Sequence, residues 1–356
     1  MKFKSHVSLL FIGALLLTSC IPATPESLTP TPVQSAHTPA PTSTVPTHTA
    51  EPDVVTIAAQ NLISHMPLYI ADLEGYFAEQ NIVVEFIAIE TGVEVLPILA
   101  ADEIDVVAGA LNVGLLNLMA QDDTVRIVAD KGYTDPAKCS ANAVMARSDL
   151  LAAGELETAD QLKSRIILAN PVGISGYVLE RWLNETYGPG LNDVTVERLP
   201  RAAQIDALNN GAAAIVVASE PNITQFAELA GVEIVADFGE YLPGASYANI
   251  LFGKHLRIDD PELGQRFMVA YLKAVRQYME GPTPRNIELI AQVTELEPEF
   301  IQRVCFPTIR LDGWMDYAAT VSYIQWELDA DRISVFNTEE QFWDSRFVDF
   351  ASSQLD

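Results

Sequence analysis

Short β-rich runs alternate with helical patterns along this chain, and the alternation starts twice. In the first series, residues 54–59, 82–89, 104–108 and 126–129 read as strands, with helices expected over 67–80, 94–101 and 113–120. The second series places strands at 166–169, 194–199, 214–218 and 234–236 and helices at 176–185 and 203–209. Strands joined through helices pair in parallel, so the pattern predicts an α/β protein with mainly parallel sheets covered on both faces. The segment Leu208-Asn209-Asn210-Gly211-Ala212-Ala213-Ala214-Ile215-Val216-Val217 echoes Leu99-Ala100-Ala101-Asp102-Glu103-Ile104-Asp105-Val106-Val107. Each reads as a helix end, a tight turn and a buried strand, which favours two lobes of similar plan over one long sheet. Beyond Asn249 the pattern is helical, over 261–279, 285–292, 298–305 and 314–328, and forms a tail able to pack on the first lobe.

The alternating body, residues 53–356, holds 304 of the 356 residues, more than one ordinary domain needs. Against 48 Asp and Glu stand 21 Lys and Arg, a formal charge of -27, which repels phosphate backbones and excludes nucleic-acid binding. Three cysteines are too few for a disulfide-stapled small scaffold.

The N-terminus carries an address. Lys2, Lys4 and His6 precede an apolar run over 7–17, eleven residues that suit a signal-peptide core and fall short of the roughly 20 a spanning helix needs. Leu17-Thr18-Ser19-Cys20 follows and resembles the bacterial lipoprotein processing signal, which implies residues 1–20 as leader and lipobox and Cys20 as the lipid attachment site. Residues 21–52 contain eight Pro, eight Thr and three Ser and are expected to form an extended, disordered tether. The long tether points to the cell surface or periplasm, on the extracytoplasmic face of the membrane.

The run Pro67-Leu68-Tyr69-Ile70-Ala71, then Gly75-Tyr76-Phe77, then the apolar Ile82 opening a strand, resembles the start of solute-binding proteins of the nitrate, sulfonate and thiamine-precursor import family. The helix-turn-strand echo and Glu220-Pro221 extend the likeness. The family's usual turn glycine and following Asp are split here, as Asp102 with Asp105 in one copy and Gly211 with Ala214 in the other. The resemblance implies a two-lobed clamshell of the periplasmic-binding type, type II, with two crossover strands. Lobe one is then 53–142 plus 248–356, and lobe two 143–247. It implies a monomeric receptor, not an enzyme, that needs no cofactor. Its partners are a small polar or heterocyclic solute of the sulfonate, nitrate-like or pyrimidine class, an ABC permease and, through it, the ATPase. A sensing module of the same fold without a transporter is the alternative. A pyrimidine-forming enzyme of the family would need a cysteine-rich C-C-C-F-C segment, which this chain lacks.

Ligands of open α/β sheets bind beyond the carboxyl ends of the strands, where loops meet helix N-termini. That rule selects Gln60, Asn61 and His65 in the first loop and Asn112 in the second; Asn112 is equally suited to cap its helix. In lobe two it selects Asn170-Pro171-Val172-Gly173-Ile174-Ser175-Gly176, where Gly173 and Gly176 allow close backbone approach and Ser175 adds a hydroxyl. Glu220 faces the cleft either as partner of a ligand amine or as a hinge and capping group. Tyr247 and Asn249 fall at the return crossover, and Tyr69, Tyr133, Tyr177 and Tyr247 are possible stacking platforms. The absence of Lys and Arg from these loops argues against a bare dianion. Only His65 and His255 lie in the body as potential bases, without a paired metal ligand, and no G-x-S-x-G elbow is present. Cys139 and Cys305 either pair outside the membrane or stay free as small apolar residues.

Overall fold

The computed structural model describes residues 51–89, 94–139, 141–188 and 190–355. The leader, Cys20 and the tether up to residue 50 therefore lie outside the described residues. Ten strands form two five-stranded sheets. Sheet one contains β1 (Asp53–Ala59), β2 (Ile82–Ala88), β3 (Val106–Ala110), β4 (Arg126–Tyr133) and β10 (Ser246–Phe252). Sheet two contains β5 (Asn142–Arg147), β6 (Ile166–Leu168), β7 (Thr195–Glu197), β8 (Ile215–Ser219) and β9 (Val232–Asp237). The orders β2-β1-β3-β10-β4 and β7-β6-β8-β5-β9 are the same plan used twice, the two-lobed α/β clamshell of the periplasmic-binding type.

Each sheet is mixed, where the alternation alone predicts mainly parallel pairing. β10 runs antiparallel to β3 and β4, and β5 antiparallel to β8 and β9. Both are the strands by which the chain enters a sheet after leaving the other one, so neither closes a strand-helix-strand unit within its own sheet and their direction is reversed; the short helix Phe238–Tyr241 lies within the second crossing. β10 also carries Tyr247 and Asn249, which therefore sit in sheet one; the return crossing is made earlier, between Asp237 and Ser246. The echo in the sequence is real in space: β3 and β8 occupy the same place in their sheets, each next to its reversed strand. Both follow a left-handed turn residue, Asp102 with φ 61° and Gly211 with φ 79°.

Other departures are local. The helix expected over 67–80 is broken at Glu74 and Gly75 into Met66–Leu73 and Tyr76–Glu79. The one expected over 298–305 stops at Ile301, and the one expected from Gly176 begins three residues earlier, as Gly173–Thr186.

The tail helices Pro261–Tyr278 and Arg346–Leu355 pack on lobe one. Phe252 of β10 meets Phe267 and Phe347 edge-on, with ring centroids 5.4 and 5.0 Å apart, so these helices and the sheet share one core. Lobe two has two smaller clusters, one per sheet face: Val144, Ile167 and Ile215 on one side, Met145, Leu168 and Val216 on the other. Cys139, in the outgoing crossing, is disulfide-bonded to Cys305 of the tail.

Candidate functional site

A cavity of about 660 Å³ lies between the lobes. Its walls are the carboxyl ends of β1, β3, β4, β6, β7 and β8 and the amino ends of the reversed strands β5 and β10. In both sheets the loops and helix N-termini thus converge on one volume, as the strand-end rule requires.

From lobe one come Gln60 and His65. The Gln60 N–H donates to His65 Nδ1 at 3.0 Å, so the neutral ring carries its proton on Nε2. Burial first, and the charge of Lys131 second, hold this imidazole well below its ordinary pKa, and it stays a neutral donor at pH 7. Asn61 is exposed, lies outside the cavity wall and accepts from the Tyr69 hydroxyl at 3.0 Å. Asn112 lines the cavity, yet its Oδ1 caps the Val113–Gln121 helix at Leu115 N, 3.0 Å, and its Nδ2 donates to Ala110 O at 2.7 Å. One amide hydrogen is left for a ligand.

From lobe two, Gly173 and Ser175 line the cavity and Gly176 does not. A Cβ at Gly176 would stand 2.4 Å from Pro171 O, so this glycine serves the packing of the first helical turn against its own loop. The Gly173 N–H is taken by Glu327 Oε1 at 3.1 Å, a fully buried carboxylate from the tail helix Tyr317–Asp329 that also pairs with Arg332. Ser175 sits inside the helix and does not cap it; the N-cap is Val172.

Glu220 lines the cavity with both oxygens occupied. Oε1 accepts from Thr224 Oγ1 at 2.8 Å and from Cys305 N at 3.2 Å, and Oε2 accepts from Thr224 N at 3.1 Å. Through Thr224 N it holds the first turn of the Asn222–Ala230 helix, whose N-cap is Pro221, and through Cys305 N it ties lobe two to the tail, the structural one of its two expected roles. Burial raises its pKa, with these hydrogen bonds opposing.

Of the four tyrosines, Tyr247 alone reaches the cavity, where Phe238 accompanies it. Tyr69 stacks on Phe86 at 4.4 Å, Tyr133 lies under the Arg310 guanidinium at 4.2 Å, and Tyr177 packs edge-on to Tyr323 and Trp326. Asn249 is buried in β10 outside the wall.

Two cations that the loops did not reveal line the same volume. Lys131 enters from β4 and Arg198 from the segment after β7, one from each lobe. The argument against a bare dianion, drawn from loops without Lys or Arg, therefore loses its premise, because the positive charge is carried by strand ends. The signal for Lys131 was a lysine directly after the apolar stretch Ile127-Val128-Ala129 and Asp130, within what is a buried strand. Its Nζ is 3.5 Å from Ser64 Oγ, the limit of a hydrogen bond, and burial brings it down to about 7. No group of three or more His, Cys, Asp or Glu placed to hold a metal occurs among the described residues.

No curated protein sequence matches the chain. Among solved structures, the aliphatic sulphonate binding protein SsuA of Escherichia coli superposes with a TM-score of 0.65 at 16% identity, covering 83% of this chain and 93% of its own. The nitrate-binding protein NrtA of Synechocystis PCC 6803 gives 0.63 at 12% identity, covering 86% and 90%. The desulfurization enzyme DSZB gives 0.58 at 15% identity, covering 85% and 100%, so the fold is shared by binding proteins and by an enzyme. The family model described as NMT1/THI5 like matches residues 63–284, which take in every strand of both sheets but β1, and the chain belongs to that family.

Proposed function

We propose that this protein is an extracytoplasmic receptor that captures a small organic anion between its lobes and delivers it to an ABC importer. The observation that carries the reading is the cavity's charge: Lys131 and Arg198 enter from opposite lobes, while Glu220, the one carboxylate of its wall among the described residues, is held by three donors. Neutral His65 and Ser175 add donors, and Phe238, Tyr247 and Leu62 offer apolar surface to the rest of the solute. A sulfonate with a short organic body fits this donor set, and a nitrate-like anion fits its polar half. Names of the superposed binding proteins point the same way. A solute touching both lobes favours the closed form by its differential affinity, which an importer can sense.

In this reading Cys20 carries the lipid, residues 21–52 hold the monomeric body off the membrane, and lobe one comprises 53–133 with 246–355 around lobe two at 142–237, the crossings lying between them. A tether of that length keeps the receptor at high local concentration beside its permease. The test is mass spectrometry of small molecules released on denaturing the purified protein, followed by calorimetric titration. A stoichiometric anion that rebinds is the expected result. An empty cleft indifferent to sulfonates and nitrate would overturn the reading.

A further inference from the structure

The two cations of the cavity differ in what stands beside them. Arg198 is exposed, and water solvates its charge. Lys131 is 2% exposed; among the described residues its ammonium reaches only the Ser64 hydroxyl, and no carboxylate forms an ion pair with it. The neighbouring acid, Asp130, is engaged elsewhere and accepts from the backbone N–H groups of Arg310 at 2.9 Å and Gly132 at 3.2 Å. The other titratable groups of the wall give no counter-charge. His65 is neutral, Arg198 is itself a cation, Glu220 is held by Thr224 and Cys305, and burial keeps the Tyr247 phenol protonated. An ammonium buried without a partner is costly, so burial displaces its proton, with Asp130 opposing, and Lys131 titrates near 7 in the empty cavity.

We propose that Lys131 reads the charge of the solute, and that an anion enters the cavity together with one proton, which is held on Lys131 Nζ. The inference rests on the anion-receptor reading above. A neutral amine, a proton from solvent and the anion give an ammonium-anion pair, so charge and atoms balance and no other reactant is needed. The anion supplies the counter-ion that the fold omits, restores the charged form of the lysine and raises its pKa. Affinity should then be nearly independent of pH below about 7 and fall roughly tenfold per unit above it. An uncharged isostere of the solute would bring no proton and bind weakly.

The test is calorimetry of the purified protein with two probes, ethanesulfonate and nitrate, neither of which titrates between pH 6 and 8. Each is run in two buffers of different ionisation enthalpy. The expected uptake is about 0.9 proton per anion at pH 8 and about 0.1 at pH 6, for a group titrating near 7. In Lys131→Arg, whose guanidinium stays charged, binding should persist without uptake at either pH. The wild-type proton counts decide the matter should that variant not fold. Binding with no uptake at pH 8 overturns this inference and leaves the receptor standing. No binding of either probe at either pH overturns both.

Discussion

The two lobes share one strand order and differ in what holds them together. In sheet one every strand has five residues or more; in sheet two β6 and β7 have three each. Lobe one shares a continuous core with the tail helices, whereas lobe two has two small clusters of its own. It meets the tail along one helix, where Ile174, Tyr177 and Val178 join the larger core, and through polar contacts: Gly173 N–H to Glu327, Glu220 to Cys305 N, and Glu228 to Arg303 at 2.8 Å. Topology here follows from the order of strands and crossings, while stability follows from what covers each sheet. A plan used twice need not be equally firm in both places.

Breaking the Cys139–Cys305 bond should have the largest effect. Their separation of 166 residues gives a loop-closure contribution of about 5 kcal/mol in the chain-entropy model. Denaturant unfolding of the reduced protein measures the loss, and hydrogen exchange should report it first in residues 142–237. Equal loss of protection in both lobes would contradict the contrast drawn between them. Next comes Glu327→Ala, which leaves the Gly173 N–H and the Arg332 guanidinium without their carboxylate and should cost about 3 kcal/mol. Glu327→Gln keeps an acceptor for Gly173 and should lose less in the same melting experiment. Gly176→Ala places a Cβ against Pro171 O and should cost about 2 kcal/mol while shifting the loop that carries Ser175. Weaker solute binding with unchanged protection of lobe one would sharpen the comparison. The smallest effect is expected of Arg198→Ala: its exposed charge should contribute no more than about 1 kcal/mol, roughly fivefold in affinity, with no change in melting. A loss as large as that caused by removing the Lys131 charge would erase the distinction between the two cations.

Much of this arrangement was legible in the sequence, because alternation and strand-end loops are local signals. The pattern marked β1, β2, β3, β6 and β8, and the loops after them, and Gln60, His65, Asn112, Gly173 and Ser175 do line one cavity. The reversed strands were not legible. Ser246–Phe252 and Asn142–Arg147 follow crossings between the sheets and not the alternation within one sheet, so nothing nearby announces their direction. Lys131 was missed because which residue of a buried strand reaches the cleft depends on the twist and register of β4 against β10. The engagement of Gly173 by Glu327 spans 154 positions, and no spacing rule connects a helix N-terminus to an acid that far along the chain.

The placement of β10 between β3 and β4 also sets an order of assembly as the chain emerges. Sheet two is built from one continuous stretch, residues 142–237, and has all of its strands once that stretch is available. Sheet one has a gap in its middle, since β10 is the strand that joins β4 to the rest of the sheet and it arrives more than 110 residues after β4. Long-range pairing of this kind is slow to form. The lesser lobe is thus complete first, and the strand bearing Lys131 is the last of its sheet to find a neighbour.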